Sequence, residues 1–163
     1  MIKKVKPQKR QESAWDYPRP PRLEKVIKEI KIIFNNSKIA LTKDAYRVLE
    51  TSHPPVYYIP PNDIKMEFLV FGSGSSYCEW KGMASYYNVK VGAREALKAG
   101  WYYPKPTNEF FAIQNYVAFY ADKMDGCFVD DELVTPQPGG FYGGWITKDI
   151  VGPFKGEPGS FGW

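Results

Sequence analysis

Histidine occurs once in these 163 residues and cysteine twice, and no apolar run approaches the ~18 residues of a membrane-spanning helix. Each scarcity excludes something. The short apolar runs exclude helical membrane spans. Cys78 and Cys127 are too few for a disulfide scaffold and lack the paired spacing of a zinc site, so no metal or other cofactor is expected. A reducing cytoplasm is the expected compartment. His53 is left as the only side chain whose ordinary pKa lies near neutrality. Motifs are missing too. Gly72-Ser73-Gly74-Ser75-Ser76 is followed by no Gly-Lys-Ser/Thr and lacks the third glycine of a dinucleotide fingerprint. No Asp-x-Asp follows it to hold catalytic metal, and Gly-x-Ser-x-Gly is absent.

Acidic residues are missing from the first ten positions, where Lys3, Lys4, Lys6, Lys9 and Arg10 supply +5. The whole chain is net +4, so residues 11–163 hold 17 basic and 18 acidic residues and sum to −1. The basicity is an arm, not a face. Residues 1–11 read as a disordered basic arm, with no apolar stretch behind it to make a secretory signal. Nucleic acid is expected to meet this protein only weakly, through those five side chains.

What is abundant is ring structure: 5 Trp, 12 Tyr and 10 Phe, with 14 Gly and 14 Pro at the corners. A chain of this length suits one domain and buries about 70% of its unfolded surface. Many short β-branched and aromatic runs separated by Pro, Gly and Asn predict a mostly β domain over residues 12–155, with one or two short helices. Val26–Phe34 and Ile39–Thr42 flank Asn35-Asn36-Ser37 as a hairpin, and Gly126–Val129 and Glu132–Val134 flank Asp130-Asp131 as a second, smaller copy. Ala45–Glu50, Met66–Phe71, Tyr77–Lys81, Met83–Val91 and Tyr116–Tyr120 read as strands. Gly72–Ser76 reads as a flexible loop. Ala93–Ala99 reads as one or two helical turns, and a helix capped by Thr107 or Asn108 is expected through Gln114. Eight glycines among residues 139–163 suggest a loose end over 156–163.

Two segments hold reactive chemistry. Glu50-Thr51-Ser52-His53 could pair an imidazole base with an orienting carboxylate. Tyr77-Cys78-Glu79-Trp80-Lys81-Gly82 places a thiol near a cation, which favours a thiolate nucleophile. Strand alternation divides that second group, Cys78 and Trp80 on one face and Tyr77, Glu79 and Lys81 on the other, unless the strand bulges at Gly82. The neighbouring tyrosines at 57–58, 86–87 and 102–103 force one ring of each pair away from whatever buries the other. A cleft of rings with polar tips suits a flat heterocycle.

Taken together, Trp15-Asp16-Tyr17-Pro18, Glu50–Pro55 with Tyr57–Pro61, Tyr77–Gly82, Tyr116–Tyr120 and Pro136–Trp145 resemble the family called domain of unknown function 427 over roughly residues 12–155. The resemblance implies a β-tent-like fold, two antiparallel sheets packed at an angle. Folds of that kind elsewhere hold zinc with four cysteines; this chain has two isolated ones, so the metal does not carry over. The leading expectation is a binding module for a planar or nucleotide-like small ligand, lined by His53, Tyr58, Trp80, Lys81, Tyr87, Trp101 and Tyr103. The alternatives are an enzyme using Cys78 or the Glu50–His53 pair, and a protein-interaction scaffold built on the Pro-rich strip and aromatic tail.

Overall fold

Four residues in left-handed conformation organise one side of the molecule. Asn35 and Asn36 (φ 48° and 62°) and Asp130 and Asp131 (φ 45° and 65°) form the two-residue turns whose twist matches antiparallel strands. They join Ile30–Phe34 to Ser37–Thr42 and Gly126–Val129 to Glu132–Leu133. The two hairpins then pair with each other, Gly126 opposite Ile33 and Val129 opposite Ile30, giving one four-stranded antiparallel sheet. Two aspartates of the second hairpin hold the first: Asp125 accepts from the Asn35 N–H (2.7 Å), and Asp130 accepts from the Glu29 N–H (2.8 Å).

The computed structural model describes residues 2–163 and is mostly β, 44% strand, with several antiparallel sheets and no long helix. A second four-stranded sheet runs in the order Ala118–Phe119, Arg94–Tyr102, Gly82–Val91, Leu69–Cys78. A third, three-stranded sheet comprises Arg22–Lys25, Tyr46–Leu49 and Val56–Tyr58. The sheet of 82–91 and 94–102 is central, because other elements pack against both of its faces. Val89, Val91, Ala99 and Phe119 share one cluster with Ile30, Ile32, Phe34 and Cys127 of the hairpin sheet. Ala84, Trp101 and Ala118 share another with Val48 and Tyr58 of the three-stranded sheet. Tyr57 and Tyr58 accordingly belong to different cores.

Several expectations need correcting. Val26–Phe34 is not one strand: Arg22–Lys25 serves the three-stranded sheet and Ile30–Phe34 the hairpin sheet. Between them Val26 dips into the core and Ile27 is 89% exposed. Ala93–Ala99 is not helical but opens the strand Arg94–Tyr102; pairing with Gly82–Val91 overrides the helix preference of Glu95, Ala96, Leu97 and Lys98. Gly72–Ser76 is not a loop but the irregular middle of the edge strand Leu69–Cys78, out of register between Phe71 and Ser75. Residues 56–58, bracketed by two proline pairs, form a further short strand. The expected short helix is present at Asn108–Ile113 as a 3-10 helix, but Thr107 at its start makes no side-chain capping bond. Among the described residues no helix is long and apolar enough to cross a membrane.

The chain's two ends lie together. Glu12–Ser13 runs parallel to Ile150–Val151, and Ala14, Tyr17 and Leu49 pack with Ile150 and Phe154. The Trp15 indole donates to Pro153 O (2.9 Å) and meets Trp163 edge-on. Arg47 locks the arrangement by bonding Glu24 and both oxygens of Glu12. In the basic arm, the Val5 N–H bonds Gly152 O (2.9 Å) and Lys4 lies over the Trp15 ring.

Because Ile32 is fully buried where the two hairpins face the central sheet, Ile32→Ala is expected to cost ~2–5 kcal/mol in chemical denaturation. Ile27→Ala, on the connection, should lie within about 0.5 kcal/mol of wild type. Equal losses at the two positions would contradict the packing described.

Candidate ligand-binding cavity

The second face of the central sheet is only partly covered. Ala84, Tyr86, Trp101 and Tyr103 project from it toward Val48, Val56 and Tyr58, and the rings do not close on one another. The result is an open cavity of about 720 Å³. Its wall is the turn Glu79–Lys81 between Cys78 and Gly82, and its lip is the segment Phe141-Tyr142-Gly143. The turn is held rigidly. Gly82 takes φ 105°, the Thr107 N–H bonds Lys81 O (3.1 Å), and the Thr107 hydroxyl bonds Trp80 O (2.7 Å).

The floor is aromatic. The Trp101 indole points its N–H at the Tyr58 hydroxyl (3.4 Å) and packs against Tyr120 at 4.6 Å between centroids. A Cβ at position 143 would overlap the Trp101 ring, so only glycine lets the lip pass. Tyr120 in turn donates to Phe141 O (3.1 Å). Burial pushes the phenols of Tyr58 and Tyr103 far up, and that of Tyr120 up to about 12, so these hydroxyls are neutral hydrogen-bonding groups. Trp80, by contrast, is only half-buried and offers ring surface to the cavity.

The polar side is ordered by Gln137. Its side-chain oxygen accepts from the Gly144 N–H (3.0 Å), and its amide nitrogen donates to Lys155 O (2.9 Å) and to His53 Nδ1 (3.0 Å). With Nδ1 accepting, the imidazole carries its proton on Nε2, which faces the Glu50 carboxylate at 3.7 Å. A Cβ on Gly144 would lie 2.6 Å from both Gln137 Oε1 and Pro54 O, which explains this second glycine. Tyr142 closes edge-on over the His53 ring at 4.8 Å. Glu50 is also paired with Arg19 (3.3 Å).

Of the nine site residues expected from sequence, Glu50, His53, Tyr58, Cys78, Trp80, Lys81, Trp101 and Tyr103 line this one cavity. Tyr87 does not. It stacks on Phe71 (5.6 Å) and Tyr102 (4.5 Å) on the other side of the sheet, and its neighbour Tyr86 lines the cavity instead, bonding Ser76 (2.9 Å). The expected division of Tyr77–Lys81 between two faces is also corrected. The strand ends at Cys78, so Glu79, Trp80 and Lys81 are turn residues free of strand alternation, and all five residues border the cavity. Arg19 and Gln137 were not anticipated. Tyr120 and Tyr142 were legible only as members of the aromatic inventory. Cys127 sits in the other core, where burial pushes its thiol well up, and among the described residues no three His, Cys, Asp or Glu side chains converge to hold a metal.

Burial, then the charges of Arg19, Lys155 and Lys81, push the His53 pKa down to about 4. Unfolded, the imidazole protonates near 6.5. Between those values the unfolded chain binds the extra proton, so stability is full above pH 6.5 and is lost as pH falls toward 4, by about 3 kcal/mol in all. As the only histidine, His53 gives one resolvable imidazole resonance. It should titrate near pH 4, and His53→Asn should flatten this part of the stability curve. A midpoint near 6.5 would refute the burial described.

A search of curated proteins finds no match for this chain. The family profile described as domain of unknown function DUF427 matches residues 22–130. That span holds the first hairpin, the strand Gly126–Val129 of the second, the central sheet, His53, the Tyr77–Lys81 wall and the Trp101 floor, whereas Arg19, Gln137 and the Tyr142 lip lie outside it. On a match over two thirds of its length, the chain belongs to the DUF427 family.

Proposed function

We propose that this protein is a small-molecule binding module whose cavity takes a planar, nucleotide-like ligand. The observation that carries the reading is the wall chemistry: a cavity of about 720 Å³ lined by Tyr58, Trp80, Trp101 and Tyr103, with polar tips among them and a small aliphatic patch of Val48, Pro54 and Val56. Sites for small molecules occupy roughly 300–1,000 Å³ and combine apolar rings with a few convergent polar groups. Base stacking on an aromatic platform is worth ~1–3 kcal/mol and tolerates many heterocycles. The module is read as cytoplasmic, since its two thiols lie in different cores with no partner for oxidation.

His53 supports binding rather than base catalysis. An imidazole acting as base needs a free ring lone pair toward its substrate. Here Gln137 occupies Nδ1 and the remaining nitrogen bears hydrogen, so His53 can donate but has no lone pair to spare. Cys78 lines the cavity in the same wall as Lys81, and this is the one feature that favours an enzyme reading. Alkylation decides between them. Slow, base-independent modification of Cys78 is expected of a packing thiol.

Nucleosides, nucleotides and flat heterocycles should quench tryptophan fluorescence and raise the melting temperature. Ligand at 100 times its dissociation constant stabilises by about 2.7 kcal/mol. Trp80→Ala should weaken binding by ~1–3 kcal/mol with a smaller loss of stability than a core substitution, because the ring is only partly buried against the second core. Trp101→Ala should instead destabilise the free protein, as its ring is buried in the floor. Cys78→Ser should leave binding nearly intact. Rapid alkylation of Cys78 at neutral pH, slowed by Lys81→Met, would replace this reading with the enzyme one.

A further inference from the structure

Lys81 is the anomaly of the cavity. Its side chain is buried, 9% exposed, yet among the described residues no carboxylate lies within 4.0 Å of its ammonium. The other cations of the lining are occupied. Arg19 pairs with Glu50 and bonds Thr51 O, and Lys155 bonds Phe161 O and Trp163 O. Its neighbours are uncharged groups, the Cys78 side chain, the Tyr58 phenol and the rings of Tyr103 (5.8 Å) and Phe110 (5.7 Å). The hydrogen bonds of Thr107 to the backbone of Trp80 and Lys81 prevent the turn from swinging that side chain out into water. A buried charge without a counter-ion is costly, and removing it normally improves stability. Its retention inside a cavity is understandable when the counter-ion arrives with the ligand. The lining as a whole agrees, with three cations, Arg19, Lys81 and Lys155, against two carboxylates, Glu50 and Glu79.

We propose that the ligand is an anion, with a compact carboxylate or phosphate seated on the Lys81 ammonium and its ring stacked on Trp80. This rests on the binding-module reading and adds to it the charge and orientation of the ligand. Neighbouring groups complete the seat. The Tyr58 and Tyr103 hydroxyls line the same cavity as neutral donors, and the Nε2–H of His53 is a further donor. Among the described residues, no side-chain carboxylate other than Glu50, held by Arg19, and the exposed Glu79 lines the cavity to repel the anion.

Two matched pairs of probes test this in tryptophan fluorescence titrations: AMP against adenosine, and nicotinate against nicotinamide. In each responding pair the anion should bind roughly tenfold tighter or more than its neutral twin. Response of the AMP pair alone identifies the anion as a phosphate monoester, and of the nicotinate pair alone as an aryl carboxylate; either supports the proposal. Lys81→Met should erase the discrimination, and Lys81→Arg should retain it. Ligand-free Lys81→Met should also melt about 3 °C higher than wild type, since it exchanges an unpaired buried ion for an apolar chain. Equal binding of charged and neutral twins, or discrimination that survives Lys81→Met, overturns the anionic assignment while leaving a stacking site in place. Ligand-free Lys81→Met melting below wild type would make Lys81 a structural cation and overturn it as well. Failure of all four probes to bind removes this inference together with the reading it rests on.

Discussion

The central sheet has apolar side chains on both faces, and everything else in the molecule follows from covering it twice. Sheets buried on both sides need a layer against each. On one side the two hairpins meet this need over the sheet's centre, with Ile30, Ile32, Phe34 and Val129 closing over Val89, Ala99 and Phe119. On the other side the three-stranded sheet reaches Ala84 and Ala118 but stops short of the Trp80 end. The cavity is the unfinished half of that second core. Its walls are aromatic because large rings can bury one face while leaving another face or a polar tip accessible.

That geometry also accounts for the Gly-rich segment after residue 138. A lip crossing an aromatic floor must come close to it, and Gly143 and Gly144 are the positions where a side chain would collide with Trp101, Pro54 and Gln137. Gln137 then does for the polar side what Trp101 does for the floor. One amide group ties the lip, the segment at Lys155 and the His53 ring into a single arrangement, and so determines which imidazole nitrogen bears hydrogen. The cavity is thus assembled from parts that are distant in sequence, and disturbing one of them is felt by the others.

How much of this is legible in the sequence depends on the range of the interaction. The Asn35-Asn36 and Asp130-Asp131 turns are local chemistry and are read directly from their residues. Segment 93–99 is misread because its local preference is helical, whereas its structure is decided by pairing with Gly82–Val91. The choice of Tyr87 over Tyr86 illustrates a finer limit. Alternation shows that adjacent tyrosines face opposite ways, but which way waits on the covering layers. The wall at Tyr77–Lys81 is found as a motif, yet its geometry depends on where the strand ends. Gln137 leaves no trace, because its partner His53 is 84 residues away and glutamine between two prolines has no local signature.

The central claim is that the uncovered half of the second core exists to be filled by a ligand. A crystal structure of the protein soaked with AMP tests it most directly. The account predicts planar density against the Trp80 ring, with the phosphate at hydrogen-bonding distance from Lys81 Nζ and the Tyr142 lip in place over His53. A cavity holding only water while AMP is bound elsewhere, or side chains collapsed to close the space, would contradict it.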